Sequence, residues 1–192
     1  MSCPKIVCVG RNYVEHIAEL GNEVPEDIVF FLKPASAVAD ELLWREGLHY
    51  EGEICFRVRG GRLAEAAFGL DLTLRDVQSR LKSKGLPWER AKAFKGSALF
   101  SDFVPIKGWE GLELRLYKNG SLAQQGSVEQ MIYKPDVIFA EADAVFGLGD
   151  GDIIMSGTPK GVGPLERGDV LRGEVWQGGE LLTAKEWQVS DK

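Results

Sequence analysis

Tyr50-Glu51-Gly52-Glu53-Ile54-Cys55-Phe56-Arg57-Val58-Arg59, answered after a glycine pair by Phe68-Gly69-Leu70-Asp71-Leu72-Thr73, is the stretch on which the reading of this chain turns. In an extended strand, residues i and i+2 project from one face about 6.6 Å apart, so Glu51 and Glu53 can close on a single cation. Asp71 stands in an apolar run, where a lone carboxylate is costly unless it is paired or holds an ion, and it is read as the third ligand. The same alternation also describes an ordinary half-exposed strand, with Tyr50, Gly52, Ile54, Phe56 and Val58 on one face and Glu51, Glu53, Cys55, Arg57 and Arg59 on the other. The residue pattern alone leaves both readings open.

A resemblance shifts the balance. Glu51-x-Glu53, then Leu70-Asp71-Leu72-Thr73-Leu74-Arg75-Asp76-Val77-Gln78, then Gly85-Leu86-Pro87-Trp88-Glu89-Arg90-Ala91-Lys92-Ala93-Phe94, resembles the core of the fumarylacetoacetate hydrolase family. The likeness extends back to Gly10-Arg11-Asn12-Tyr13-x-x-His16-x-x-Glu19 and forward to Gly157-Thr158-Pro159-Lys160-Gly161-Val162-Gly163-Pro164, covering almost the whole chain. It implies the family's mixed β-roll and a divalent cation, Mg²⁺ or Mn²⁺, held by Glu51, Glu53 and Asp71 with a 2-oxo acid chelated on it. It also implies a His16–Glu19 pair that activates water, a Lys92 that points into the site, and substrate contacts from Arg11, Tyr13, Gln78 and Thr158. One departure is visible: family members usually carry a short amphipathic helix before the strand bearing the Asp, and Arg62 to Ala67 has no room for it.

Composition sets the outer limits. The 192 residues fit a single domain, 1–192, with a sizeable core. The net charge of −6 is interspersed, and no basic stripe carries interleaved aromatics, so nucleic acid is not an expected partner. The N-terminal apolar run is too short for a signal peptide or a membrane span, and the expected location is the cytoplasm. Cys3, Cys8 and Cys55 lack metal-site spacing and read as idle thiols, and two histidines cannot build a multi-histidine zinc site. Carboxylate oxygens suit Mg²⁺ or Mn²⁺ instead.

Along the chain, Lys5 to Val9 reads as a buried strand and Ile28 to Leu32 as a second, ended by Lys33-Pro34. Between them Asn12 and Glu15 form a capping-box pattern for a helix that Gly21-Asn22 would stop, with Val14, Ile17 and Ala18 toward the core. His16 and Glu19 lie at i and i+3 on its flank, a spacing that is also common for a plain surface contact. Gly60-Gly61 marks a hairpin, and Thr73 with Asp76 caps a helix reaching Lys84-Gly85 on which Gln78 flanks the apolar face. Without the resemblance, Gln78 is an exposed amide and Lys92 a solvated lysine. Leu112 to Gly126, with Asn119-Gly120 at its turn, reads as an exposed hairpin, and Pro135 to about Phe146 as a helix. Asp152 to Ser156, Asp169 to Val175 and Leu181 to Val189 are strands. Gly157, Gly161 and Gly163 lack the residues of a nucleotide-binding loop; they make either a sharp turn or, as the resemblance implies, a loop offering amides and the Thr158 hydroxyl to a carboxylate.

Many short strands, few helices and frequent glycine turns predict a β-rich α+β fold. With the resemblance, the expected enzyme works on 2-oxo acids through a pyruvate enolate. It hydrolyses the C–C bond of acylpyruvates or fumarylacetoacetate-like 2,4-dioxo acids, or decarboxylates oxaloacetate. Isomerisation or tautomerisation of hydroxymuconate-type substrates or oxaloacetate needs only proton transfer and is the alternative. A non-catalytic metal or oxo-acid binding protein would show a lost ligand, which is not the case here, and a purely structural protein is the weakest rival. The expected partners are a small 2-oxo acid and a second copy of the chain. A homodimer is motivated by resemblance and by Trp109, Trp176 and Trp187 read as exposed.

Overall fold

The computed structural model describes residues 4–19 and 26–191, and of residues 16–18 the backbone alone. Among these residues the strands, numbered in chain order, form three sheets. The largest runs β2 (Val29–Lys33), β1 (Ile6–Gly10), β11 (Ile153–Met155), β4 (Gly52–Arg59), β5 (Arg62–Asp71) and β7 (Ala98–Phe100), with β8 (Val104–Pro105) also paired to β5. It is mixed: β1 and β11 are parallel and the other pairs antiparallel. A second sheet has the order β10 (Ser121–Ser127), β9 (Leu112–Lys118), β13 (Val170–Gln177), β14 (Glu180–Gln188), and a small third joins β12 (Gly163–Pro164), β3 (Leu48–Tyr50) and β6 (Thr73–Leu74). The helices are α1 (Val14–Glu19), α2 (Arg75–Ser83), α3 (Glu89–Lys92) and α4 (Pro135–Phe146). This is the β-rich α+β architecture expected.

The β4–β5 hairpin is its centre. Gly60 and Gly61 both take left-handed backbone angles (φ 56° and 68°), which a two-residue primed turn requires. β5 then runs unbroken to Asp71, so no helix precedes the aspartate, as its sequence demanded. The half-exposed alternative for this strand is ruled out. Ile54 and Phe56 are buried on one face, and Glu53 and Cys55 on the other. The first face packs with Phe68 and Leu70 against Leu112, Leu114, Leu116, Leu171, Val175 and Trp187 of the second sheet. Burying each such side chain contributes about 1.5–3 kcal/mol. The opposite face meets a smaller cluster of Ile6, Cys8, Ala98 and Met155.

Several local expectations are corrected by this packing. The Leu112–Gly126 hairpin turns at Asn119 and Gly120 as expected (φ 52° and 79°), but only its second strand, β10, is an exposed edge, because β9 lies inside the sheet between β10 and β13. Trp187 is buried, and Trp109 and Trp176 are partly covered, so they form no exposed apolar patch and give no support to a dimer. β2 is a half-buried edge strand. Asn12 stands two positions ahead of the first residue of α1, and its amide has long-range partners. It is fully buried, donating to the carbonyls of Tyr133 and Ser156 and accepting from the Tyr133 N–H, a use of its amide that long-range contact decides. Val14 is exposed instead of facing the core, and Gly21-Asn22 lies outside the described residues. No described helix is long and apolar enough to cross a membrane.

One polar clamp ties the parallel pair together. Asp152 accepts from the Lys5 backbone N–H at 2.8 Å, the Lys5 ammonium at 2.5 Å and the Gly149 N–H at 2.8 Å. Burial alone would raise the Asp152 carboxyl, but these donors outweigh it and hold it below the usual range. A depressed carboxyl stabilises the fold above the unfolded value of about 3.9, and that contribution disappears as pH falls through the native value. Asp152→Asn should therefore lower stability by about 1–3 kcal/mol at neutral pH. In urea melts, the gap from wild type should narrow as pH falls below about 4.

Candidate active site

The floor of the site lies where the ends of β4, β5 and the short β6 converge. Glu51 immediately precedes β4, and the Asp71 N–H donates to the Glu51 carbonyl at 2.8 Å, so the backbone holds the two carboxylates side by side. Glu53 follows on β4, paired with Gly69. One carboxylate oxygen from each of Glu51, Glu53 and Asp71 lies within 4.8 Å of the others, and all three residues are buried, at 5%, 1% and 1% exposure.

Three acids this close and this dry need compensation. Lys92, on α3, supplies most of it. Its ammonium donates to Glu51 Oε2 at 2.7 Å, Asp71 Oδ2 at 2.6 Å and Thr73 Oγ1 at 2.7 Å. Burial pulls its proton affinity down, yet Asp71 and Glu51 more than reverse this, and the net shift is upward. Thr73 is therefore not a helix cap: its hydroxyl is buried between Lys92 and the Asp71 carbonyl, and α2 starts without a side-chain cap. Arg75, in the first turn of α2, is ion-paired to Glu51 and donates to Gln78 Oε1 at 2.8 Å. Gln78 is accordingly buried, not an exposed amide.

Lys33, read from sequence only as the end of a strand, is fully buried with its Nζ 2.8 Å from Asp71 Oδ1. Its ammonium also donates to the carbonyls of Lys92 and Ser97, which leaves its third hydrogen for Asp71. Glu53 accepts the Gly157 N–H at 2.8 Å. Burial first, then the charge of Asp71, pushes its carboxyl well above the usual range. Three buried carboxylates within one ligand distance, a destabilised carboxylate at Glu53 and an all-oxygen donor set together fit a divalent cation.

Glu51, Glu53, Asp71, Arg75 and Lys92 line one cavity with Val9, Arg11, Phe31, Gln78, Lys82, Trp88 and Thr158. Arg11 takes a left-handed backbone angle, φ 60°, uncommon outside glycine and typical of functional sites. Lys82 shares one face of α2 with Arg75 and Gln78. Its ammonium is pulled down by burial and then by Arg11 and Arg75, which shows how closely cations gather at the mouth. Thr158 lies on the loop after β11, where its hydroxyl donates to the Gly52 carbonyl at 2.9 Å. Tyr13 does not line this cavity. It is buried, its hydroxyl has no hydrogen-bond partner among the described residues, and it borders a neighbouring cavity with Glu15, Gln125 and Pro159. Glu19 accepts the Gly161 N–H at 3.0 Å, which ties α1 to the glycine loop, while the His16 side chain lies outside the described residues.

Residues 5–184 match the family described as fumarylacetoacetate (FAA) hydrolase C-terminal. The chain belongs to this family. Fumarylacetoacetate hydrolase relatives include the oxaloacetate tautomerase YcgM of Escherichia coli strain K12, 41% identical over 191 residues, covering 87% of this chain and 86% of that protein. The mitochondrial oxaloacetate decarboxylase of Dictyostelium discoideum is 35% identical over 189 residues, covering 88% of this chain and 87% of that protein. Among solved family structures, fumarylpyruvate hydrolase from Pseudomonas aeruginosa, in complex with Mn²⁺ and pyruvate, superposes with a TM-score of 0.88 at 30% identity. That alignment covers 98% of this chain and 90% of the other. The relatives are thus family enzymes named for different reactions on related acids.

Lys33 and Arg75 were missed as site residues because a lysine ending a strand and an arginine opening a helix usually face water. The only sequence signal was position: Lys33 closes the apolar run Val29 to Leu32, and Arg75, Gln78 and Lys82 share helical spacing. Removing one partner of a buried ion pair costs about 3–5 kcal/mol. Lys33→Met should lower the unfolding free energy from urea melts in chelator by an amount of that order, whereas Lys84→Met on the exposed end of α2 should leave it unchanged.

Proposed function

We propose that this chain is a divalent-cation-dependent enzyme that carries short 2-oxo dicarboxylic acids of the oxaloacetate kind through an enolate. The observation that carries this reading is the buried triad of Glu51, Glu53 and Asp71 beneath a cationic mouth. The three carboxylates face three cations, Lys33, Lys92 and Arg75, so the site is balanced by itself. A divalent cation arriving with a dianionic oxo acid keeps that balance. Glu51, Glu53 and Asp71 would hold the ion, Mg²⁺ in this reading with Mn²⁺ as substitute, and when bound it supplies Lewis-acid polarisation of the 2-oxo group.

The chain's own groups do the rest. Lys92, kept protonated by its acidic neighbours, shares the negative charge that develops on the enolate oxygen. Gln78 and Thr158 border the same space and orient the acid, and Arg11 closes the mouth over a carboxylate. Tautomerisation and decarboxylation of oxaloacetate both need this enolate and no attacking water. Hydrolysis of acylpyruvates adds one requirement, a water activated by His16 with Glu19, and Glu19 held at the glycine loop keeps this second reading alive. Tyr13 stays in the proposal as a residue behind the loop. A homodimer rests on resemblance alone, and a cytoplasmic location stays part of the proposal.

The test is the keto–enol interconversion and decarboxylation of oxaloacetate, followed by absorbance with Mg²⁺, Mn²⁺ or chelator, beside a panel of acylpyruvates. Glu53→Gln keeps an acceptor for the Gly157 N–H, so the protein should stay folded while turnover falls roughly 10²-fold or more. Undiminished turnover in chelator would sink the reading. Glu19→Gln likewise keeps an acceptor for the Gly161 N–H. Any acylpyruvate hydrolysis should drop about 10²- to 10⁴-fold in this variant while oxaloacetate turnover falls much less, and equal losses would remove water activation from its role.

A further inference from the structure

Gln124 belongs to none of the groups discussed so far. It lies on β10, an edge strand of the second sheet, yet is buried at 1% exposure. A bulge puts it there. In the β10–β9 ladder Leu122 pairs with Tyr117 and Gln124 with Leu116, leaving Ala123 unpaired, so Gln124 shares the inward face of the buried Leu116. Bulges re-aim side chains in this way, often beside active sites.

The Gln124 side chain then closes a ring of three hydrogen bonds. The Gly52 N–H donates to Gln124 Oε1 at 2.8 Å, Gln124 Nε2 donates to Thr158 Oγ1 at 2.9 Å, and the Thr158 hydroxyl donates to the Gly52 carbonyl at 2.9 Å. Nε2 also donates to the Pro159 carbonyl at 2.8 Å. The orientation of the amide follows from chemistry, since only its oxygen can face an N–H and only its nitrogen can face a carbonyl. The ring surrounds Gly52, the residue between Glu51 and Glu53. Its N–H belongs to the peptide that follows Glu51 and its carbonyl to the peptide that precedes Glu53. Rotating either peptide would re-aim a carboxylate.

We infer that Gln124 is a positioning residue: by locking both peptides around Gly52 it sets the spacing of Glu51 and Glu53, and so the affinity of the triad for a divalent cation. This rests on the proposed reading of the triad as cation ligands. Groups that orient ligands from behind typically change metal affinity by roughly 10- to 100-fold.

The test is Mn²⁺ titration by calorimetry without substrate, with thermal melts to confirm folding. Gln124→Met should weaken Mn²⁺ binding roughly 10-fold or more. Thr158→Val, which opens the same ring at another corner, should do likewise. Thr158→Ser should restore near wild-type affinity, and Gln125→Met, at the exposed neighbouring position, should change nothing. A folded Gln124→Met with wild-type affinity overturns the inference. Should that variant fail to fold, equal affinity in Thr158→Val and Thr158→Ser overturns it instead. A wild-type protein that takes up no Mn²⁺ overturns the triad reading and the inference with it, whereas wild-type uptake with unaffected variants overturns the inference alone.

Discussion

Holding Glu51, Glu53 and Asp71 together out of water is the constraint that the rest of the structure answers. A buried carboxylate without a partner costs several kcal/mol, and three within one ligand distance repel one another as well. The compensating charges come from separate parts of the chain: Lys33 from β2, Arg75 from α2 and Lys92 from α3. The order of the large sheet, which sets β2 at one edge and β4 and β5 further in, is what lets these groups meet.

Apolar packing supplies the rigidity this needs. Ile54, Phe56, Phe68 and Leu70 press one face of the hairpin onto the second sheet, and their alternation with Glu53, Cys55 and Gly69 aims the carboxylate the other way. Gly69, opposite Glu53, is required there, because a Cβ at that position would collide with Cys55 Sγ. The hydrophobic core and the acidic floor are thus two faces of the same two strands.

The breadth of reactions among the relatives has a physical basis in this layout. Under the proposed function, the floor and Lys92 would address the 2-oxo acid end of a substrate and the enolate, which tautomerisation, decarboxylation and hydrolysis have in common. What would distinguish the reactions is then the rim: α1, Arg11, Lys82 and the glycine loop. Glu19 and the Gly161 N–H join two of these segments to each other, while the start of the glycine loop is bonded to the floor through Glu53 and Gly52.

Sequence by itself determined the β4–β5 hairpin, the turns at Gly60-Gly61 and Asn119-Gly120, the helix Pro135–Phe146 and the three acids, because each is written in local alternation, turn chemistry or a compact motif. It also determined the family, through ordered motifs spread over most of the chain. Only the tertiary structure decided where polar side chains spend their hydrogen bonds. Thr73 matches a helix cap locally, yet it is committed to Lys92 and the Asp71 carbonyl inside the fold, because burial makes an unpaired hydroxyl more costly than an uncapped helix end, and the buried Asn12 amide likewise serves Tyr133 and Ser156. Lys33, Arg75 and Gln124 look like surface residues for the same reason in reverse. Apart from the Arg75–Gln78 contact, their partners lie 24 to 72 positions away in sequence, and no local pattern encodes a distance that only sheet order creates.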